Sequence, residues 1–131
     1  MKNTINGKFS VKAIPQPDDE TIQKIGAMKM TFEKQFEGAL HSQSLVSMIG
    51  MMNQSIGSGG YVALEKVTGA LEGRQGSFCL QHSSIMERGK PQQSITVIPD
   101  TGTDQLVGLV GQMTIDIIDG QHFYNFEYQL P

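Results

Sequence analysis

The run from Gly60 to Ser84, GYVALEKVTGALEGRQGSFCLQHSS, decides how this chain folds. It reads as two long strands joined by one tight turn, and it holds the one pair of residues suited to acid–base chemistry, Glu65 and His82. A two-residue turn of type II′ takes glycine first, because only glycine accepts that backbone geometry cheaply. Gly73-Arg74 fits, and sets Leu71 opposite Gly76, Gly69 opposite Phe78, Val67 opposite Leu80 and Glu65 opposite His82. A turn centred on Glu72-Gly73 shifts each pair by two residues and keeps every face. Side chains alternate with a period of two, so Tyr61, Ala63, Glu65, Val67, Phe78, Leu80 and His82 share one face. Lys66, Thr68, Ser77, Cys79 and Gln81 take the other, where Val62 and Leu64 are apolar exceptions.

The same alternation extends outward. Lys8–Ile14 places Phe9, Val11 and Ala13 against Lys8, Ser10 and Lys12. Pro15 and Pro17 end that strand, since proline cannot join a central ladder. Ile25–Phe36 resumes with Met28, Met30, Phe32 and Phe36 on one face, and Lys34 falls among them, expected to reach the rim with its ammonium. Glu37-Gly38 turns into Leu40–Met52, and Gly57-Ser58-Gly59-Gly60 reads as a loop. Met86–Gln92 reads as a connection, Ser94–Ile98 as a short strand, Pro99–Thr103 as a turn, and Asp104–Val110 as a helical turn or irregular crossing. Asp119-Gly120 is the favoured type I′ pair, and sets Ile117 opposite His122, Ile115 opposite Tyr124, and Met113 opposite Phe126. No amphipathic helix of ordinary length and no internal repeat emerges. About eight strands with short turns make an all-β chain, a small closed antiparallel β-barrel or, alternatively, a β-sandwich, as a single domain over residues 1–131.

Composition narrows the classes. A net charge of −3 from 10 basic and 13 acidic residues, with no like-charged run, excludes a nucleic-acid surface. The amino terminus lacks an apolar segment after its lysine, and Leu45–Met52, broken by Ser47 and Gly50, is too short to span a bilayer, so neither secretion signal nor membrane helix is expected. One cysteine forms no internal disulfide, which suits a cytoplasmic location.

The run Gly60–Ser84, with SITVIPDTGTDQLVGLVGQM from Ser94 and the closing HFYNFEYQL, resembles an uncharacterised bacterial family, domain of unknown function 3224. The matching positions are Glu65, the Gly73-Arg74-Gln75-Gly76 turn, Phe78, Gln81-His82 and Gly102-Thr103. The resemblance implies a barrel with an apolar lumen, similar in shape to allene oxide cyclases and more distantly to lipocalins, commonly assembled as oligomers. It implies no activity, and a fold likeness does not carry function.

Three chemical readings follow. Glu65 and His82 in an apolar lumen make a candidate acid–base pair, with Tyr61 or Tyr124 supplying a hydroxyl; the alternative is a buried pair that fixes strand register. Asp100-Thr101-Gly102 matches the aspartic-protease triplet, but lies near the carboxyl end beside Pro99, where a β-turn is the simpler reading. His41, His82 and His122 share no element, and Cys79 faces away from His82, so no metal and no cofactor is expected. The methionines Met28, Met30, Met48, Met51, Met52 and Met113 suit core packing or an adaptable apolar pocket. The leading expectation is a non-enzymatic or weakly enzymatic barrel that binds a small, mostly apolar ligand in a lumen lined by Tyr61, Glu65, Phe78, Leu80, His82, Met113, Ile115, Tyr124 and Phe126. The alternatives are an isomerase or cyclase using Glu65 and His82, and a homo-oligomer, dimer or tetramer, built through outer strand faces. Neither nucleic acid nor membrane is expected as a partner.

Overall fold

Eight antiparallel strands follow one another in chain order, and the last pairs with the first, so no sheet edge runs the length of the molecule. The computed structural model describes residues 2–131. The strands are β1 (Asn3–Ile14), β2 (Met28–Phe36), β3 (Leu40–Asn53), β4 (Ser58–Leu71), β5 (Arg74–Glu87), β6 (Lys90–Val97), β7 (Val110–Ile118) and β8 (Gln121–Gln129). Of the two architectures expected, the closed barrel is the one formed.

Stagger sets the interior. Followed across the sheet, the pairing runs from Met30 through Met48, Ala63, His82, Ile95, Met113 and Phe126 to Ile5, and the same register returns to position 40, ten residues from its start. Eight strands and a stagger of ten mean steeply tilted strands. Residues at one height in the barrel are therefore not direct ladder partners, but step along each successive strand by just over one residue.

Three hairpins use the same device. Glu72-Gly73, Arg88-Gly89 and Asp119-Gly120 all have positive φ at both positions, with Glu72 at 47° and Gly73 at 84°. That is the type I′ geometry, whose twist matches the flanking strands. The central turn is thus centred on Glu72-Gly73, not on Gly73-Arg74. Leu71 pairs with Arg74, Val67 with Phe78, Glu65 with Leu80 and Ala63 with His82. The last hairpin has the expected register throughout. The segment Met86–Gln92, expected as a connection, is instead the hairpin around Arg88-Gly89. Pro91 is tolerated there because that part of β6 pairs with β5 alone. Likewise Ser58-Gly59-Gly60 opens β4, and the turn before it spans 54–57.

Two further departures have local causes. A five-residue helix, α1 (Glu20–Lys24), occupies the expected loop, because the Asp19 side chain accepts from the Ile22 N–H as its N-cap. Ile25 then caps that helix instead of starting β2. The Asp100-Thr101-Gly102 triplet is structural. Where β6 leaves β5, the Thr101 hydroxyl accepts from the Cys79 N–H and donates to the Ile98 carbonyl. Thr103 likewise accepts from the Ser77 N–H, and the Gln105 side chain from the Gln75 N–H. The crossing therefore satisfies the backbone that β6 abandons. It continues through the 3₁₀ turn Asp104–Leu106, which drives Leu106 and Leu109 into the core.

One end of the barrel is a packed aromatic plug. Phe78 stacks on Phe126 with centroids 5.7 Å apart, and Phe36 meets the edge of Tyr124 at 5.5 Å. Tyr124 also closes the β2–β3 turn: its Oη donates to the Glu37 carbonyl at 2.6 Å and accepts from the Leu40 N–H at 3.2 Å. Gly7 makes room, since a Cβ there would lie 2.7 Å from that hydroxyl. Burial raises the Tyr124 phenol above its usual range, so it stays a donor. Tyr124→Phe should therefore cost about 1–3 kcal/mol, by orphaning the buried Leu40 N–H and the Glu37 carbonyl. Urea denaturation checks this, and the far-UV spectrum should stay that of a β protein.

Candidate functional site

Above the aromatic plug, the stagger brings four polar side chains to one height. Lys34 on β2 and Ser44 on β3 are direct ladder partners. Glu65 on β4 is offset by two residues from Ser44's partner Val67, and His82 on β5 by two from Glu65's partner Leu80. Each offset runs the same way and offsets the tilt, so all four meet across the interior. Glu65 is the hub. Its Oε1 takes the Lys34 ammonium at 3.2 Å and His82 Nε2 at 2.7 Å, while its Oε2 accepts from Ser44 Oγ at 2.5 Å.

Burial of this layer is nearly complete: Glu65 is 1% exposed, His82 4% and Lys34 9%. An isolated carboxylate there would be prohibitive, and it is retained only because three donors converge on it. Burial pushes the Glu65 carboxyl up, but the His82 hydrogen bond, the Lys34 charge and the Ser44 hydroxyl together hold it below its usual range. Lys34 is tied down on its other side, its Nζ lying 5.0 Å from the Phe9 ring centroid and 5.9 Å from that of Phe36. The lysine thus turns inward to Glu65 and does not reach the rim.

On the far side of this layer the barrel opens into a cup of about 240 Å³. Five of the chain's eight methionines face it, Met28 and Met30 on β2, Met48 and Met52 on β3 and Met86 on β5, while Met51, on the outer face of β3, borders its rim. Small residues make the space. Gly50 pairs with Tyr61 and Gly59 with Met52, and a Cβ on Gly59 would lie 2.6 Å from the Met52 sulfur. The hydroxyl-bearing side chains in the lining are Tyr61 and Ser84. A larger groove of about 490 Å³ crosses the outer faces of β1–β4, but Lys12, Glu33 and Lys66 make it polar and open.

The nine residues expected to line the lumen are therefore divided among three levels. Tyr61 lines the cup. Glu65 and His82 form the charged layer beneath it. Phe78, Leu80, Met113, Tyr124 and Phe126 are core residues at 0–2% exposure, and Ile115 packs against them. The sequence reading missed Lys34 and Ser44 as partners of Glu65, and Met86 as part of the cup. For Lys34 the signal was present, as the single cation on the apolar face of its strand. His41 is exposed and His122 lies tilted against Phe9, so the three histidines are far apart in role, and no cluster of three His, Cys, Asp or Glu exists among the described residues.

The charged layer yields a test. Glu65 has a folded pKa below its unfolded value near 4.5, so its contribution is present above that pH and fades as pH falls through the folded value. Wild-type stability should decline on acidification below about pH 4.5, and Glu65→Gln should flatten that limb. At pH 7 the same variant should lose about 3–5 kcal/mol, because Lys34 is left buried without a counter-charge. Replacing the group together (Lys34→Met, Glu65→Leu, His82→Leu) should recover most of that loss. Urea midpoints measured across pH check both outcomes.

The chain is similar to proteins already grouped by sequence and structure. Residues 5–128 match the family model described as a protein of unknown function, DUF3224. A crystal structure of a protein of unknown function from that family, from Shewanella oneidensis MR-1, shares 39% identity with a TM-score of 0.90, over 100% of this chain and 99% of that one. No curated protein matches the chain. The match over nearly the whole length, with the shared barrel, places this protein in the DUF3224 family.

Proposed function

We propose that this barrel binds a compact, mostly apolar molecule in the methionine cup. The observation that carries the reading is the lining: flexible thioethers, three glycines, one tyrosine and one serine around about 240 Å³. Ligand sites are typically apolar clefts with a few polar groups that fix orientation, and methionine adapts its shape to its guest. The volume lies below the common range of about 300–1,000 Å³, which favours a small guest. The aromatic plug closes the barrel below, and Met28 and Met52, at 64% and 53% exposure, stand at the open mouth. An isomerase or cyclase reading with Glu65 as base draws less support, because both carboxylate oxygens are already engaged and the group is held ionised. N-phenyl-1-naphthylamine should gain fluorescence and saturate at one dye per chain. Met28→Trp or Met52→Trp, both at exposed positions, should weaken it tenfold or more by filling the mouth. A folded wild-type protein that leaves the dye unchanged overturns the reading.

A second feature supports a homodimer, and so an assembly role beside the binding site. On the outer face, Leu45, Ile49 and Met51 of β3, Val62 and Leu64 of β4, and Ile85 of β5 are neighbours by register. Val62 and Leu64 are 57% and 59% exposed, more than a solvated face needs. The same patch is self-complementary in a face-to-face pairing, since Leu45 and Ile49, like Lys29 and Glu33, are spaced evenly about the paired Thr31 and Ser47. Light scattering should report a dimer, and Leu64→Lys a monomer; a monomeric wild type at high concentration rejects this interface.

A further inference from the structure

We propose that the methionine cup is a site for a soft monovalent metal ion, Cu(I) or its analogue Ag(I), independently of any organic guest. The starting point is segregation. Met28, Met30, Met48, Met52 and Met86 face one cavity and Met51 touches its rim, whereas the core below holds a single methionine, Met113, among Phe, Leu, Ile, Val and Tyr. If volume alone were needed, leucine or isoleucine would supply it with better-defined packing. What the cup concentrates is sulfur.

The placement of the thioethers suits shared ligation. Met30 and Met48 are direct register partners and both point inward, with Cβ atoms about 4.5–5.5 Å apart for such a pair. Met28 is the next inward residue on β2, opposite Gly50, which leaves its side chain space to turn in. Met52 and Met86 both pair with Gly59, and the Met52 sulfur occupies the room that glycine leaves. The ladder thus alternates methionine with a residue too small to obstruct it, including Ala63 beside Met48.

The surroundings select by softness. Thioethers favour Cu(I), while carboxylate and imidazole ligands favour harder or divalent ions. No Asp, Glu, His or Cys lines the cup. Lys34, Glu65 and His82, in the layer beneath, are engaged with one another. A thioether also carries no proton. Each sulfur donates a lone pair to the incoming ion, no bond breaks, and the ion keeps its oxidation state. Binding should therefore vary little with pH, in contrast to thiolate or imidazole sites, which must first lose a proton.

The experiment uses the full chain carrying Cys79→Ser, since the part-exposed thiol on the barrel wall is a competing soft ligand. Native mass spectrometry with Ag(I), and anaerobic competition for Cu(I) against bicinchoninate, should show one ion per chain, similar affinity at pH 5.5 and 7.5, and no uptake of Zn(II). Met30→Leu with Met48→Leu should reduce affinity for the ion at least tenfold while preserving apolar volume. Silver and N-phenyl-1-naphthylamine are titrated separately into the Cys79→Ser protein, whose substitution lies outside the cup, so failure of one is distinguished from failure of the other. Failure of the Cys79→Ser protein to hold Ag(I), or undiminished binding in the double variant, overturns the metal site. A dye that never binds, beside silver that does, counts against the organic guest alone.

Discussion

A carboxylate at the centre of a barrel is the constraint on which this structure turns. Glu65 is almost fully buried, and its charge must be met from inside the sheet. Lys34, Ser44 and His82 come from three other strands, and they reach it only if the β2–β3, β3–β4 and β4–β5 registers are all the ones observed. A register slip of two residues between any two of β2, β3, β4 and β5 would leave the parity of the faces intact and break the network. The charged layer therefore specifies register in a way that the apolar core cannot, because Phe, Leu and Val tolerate repacking more readily than a buried ion does.

That layer also divides the interior into two unlike halves. Below it, Phe36, Phe78, Phe126 and Tyr124 interlock, and Tyr124 pins the β2–β3 turn through two hydrogen bonds. Above it, glycines at Gly50 and Gly59 withhold side chains, and methionines fill the periphery without closing the centre. One end is rigid and full; the other is soft and partly empty. A site built over a rigid floor holds its geometry while its walls adapt, which is the usual arrangement of a small-molecule pocket on a stable scaffold.

How much of this was legible depends on how local each signal is. Strand faces were readable because a period of two survives any even shift of register, so Glu65, Val67, Phe78, Leu80 and His82 were assigned to one shared face although the turn was placed one residue too late. The Asp119-Gly120 hairpin was readable because that pair strongly favours type I′. Glu72-Gly73 and Arg88-Gly89 adopt the same turn with residues that seldom take positive φ, so Gly73-Arg74 was preferred and Met86–Gln92 was read as a connection. The partnership of Lys34 and Ser44 with Glu65 was out of reach for a different reason. It depends on three strand registers at once, β2–β3, β3–β4 and β4–β5, and no single stretch of the chain encodes them.

The charged layer also bears on what chemistry the cup can perform. A general base needs access to its substrate and a pKa near the working pH, whereas both Glu65 oxygens are already hydrogen-bonded and its carboxyl is held below the usual range. Freeing it would mean moving Lys34 off the Phe9 ring, or withdrawing His82 from the wall of β5, and each motion strands a buried charge or polar group. The network is better suited to holding a floor in place than to shuttling protons. Any guest above it meets a surface whose charges already balance internally, so recognition falls to shape and to the polarisable sulfur of the walls.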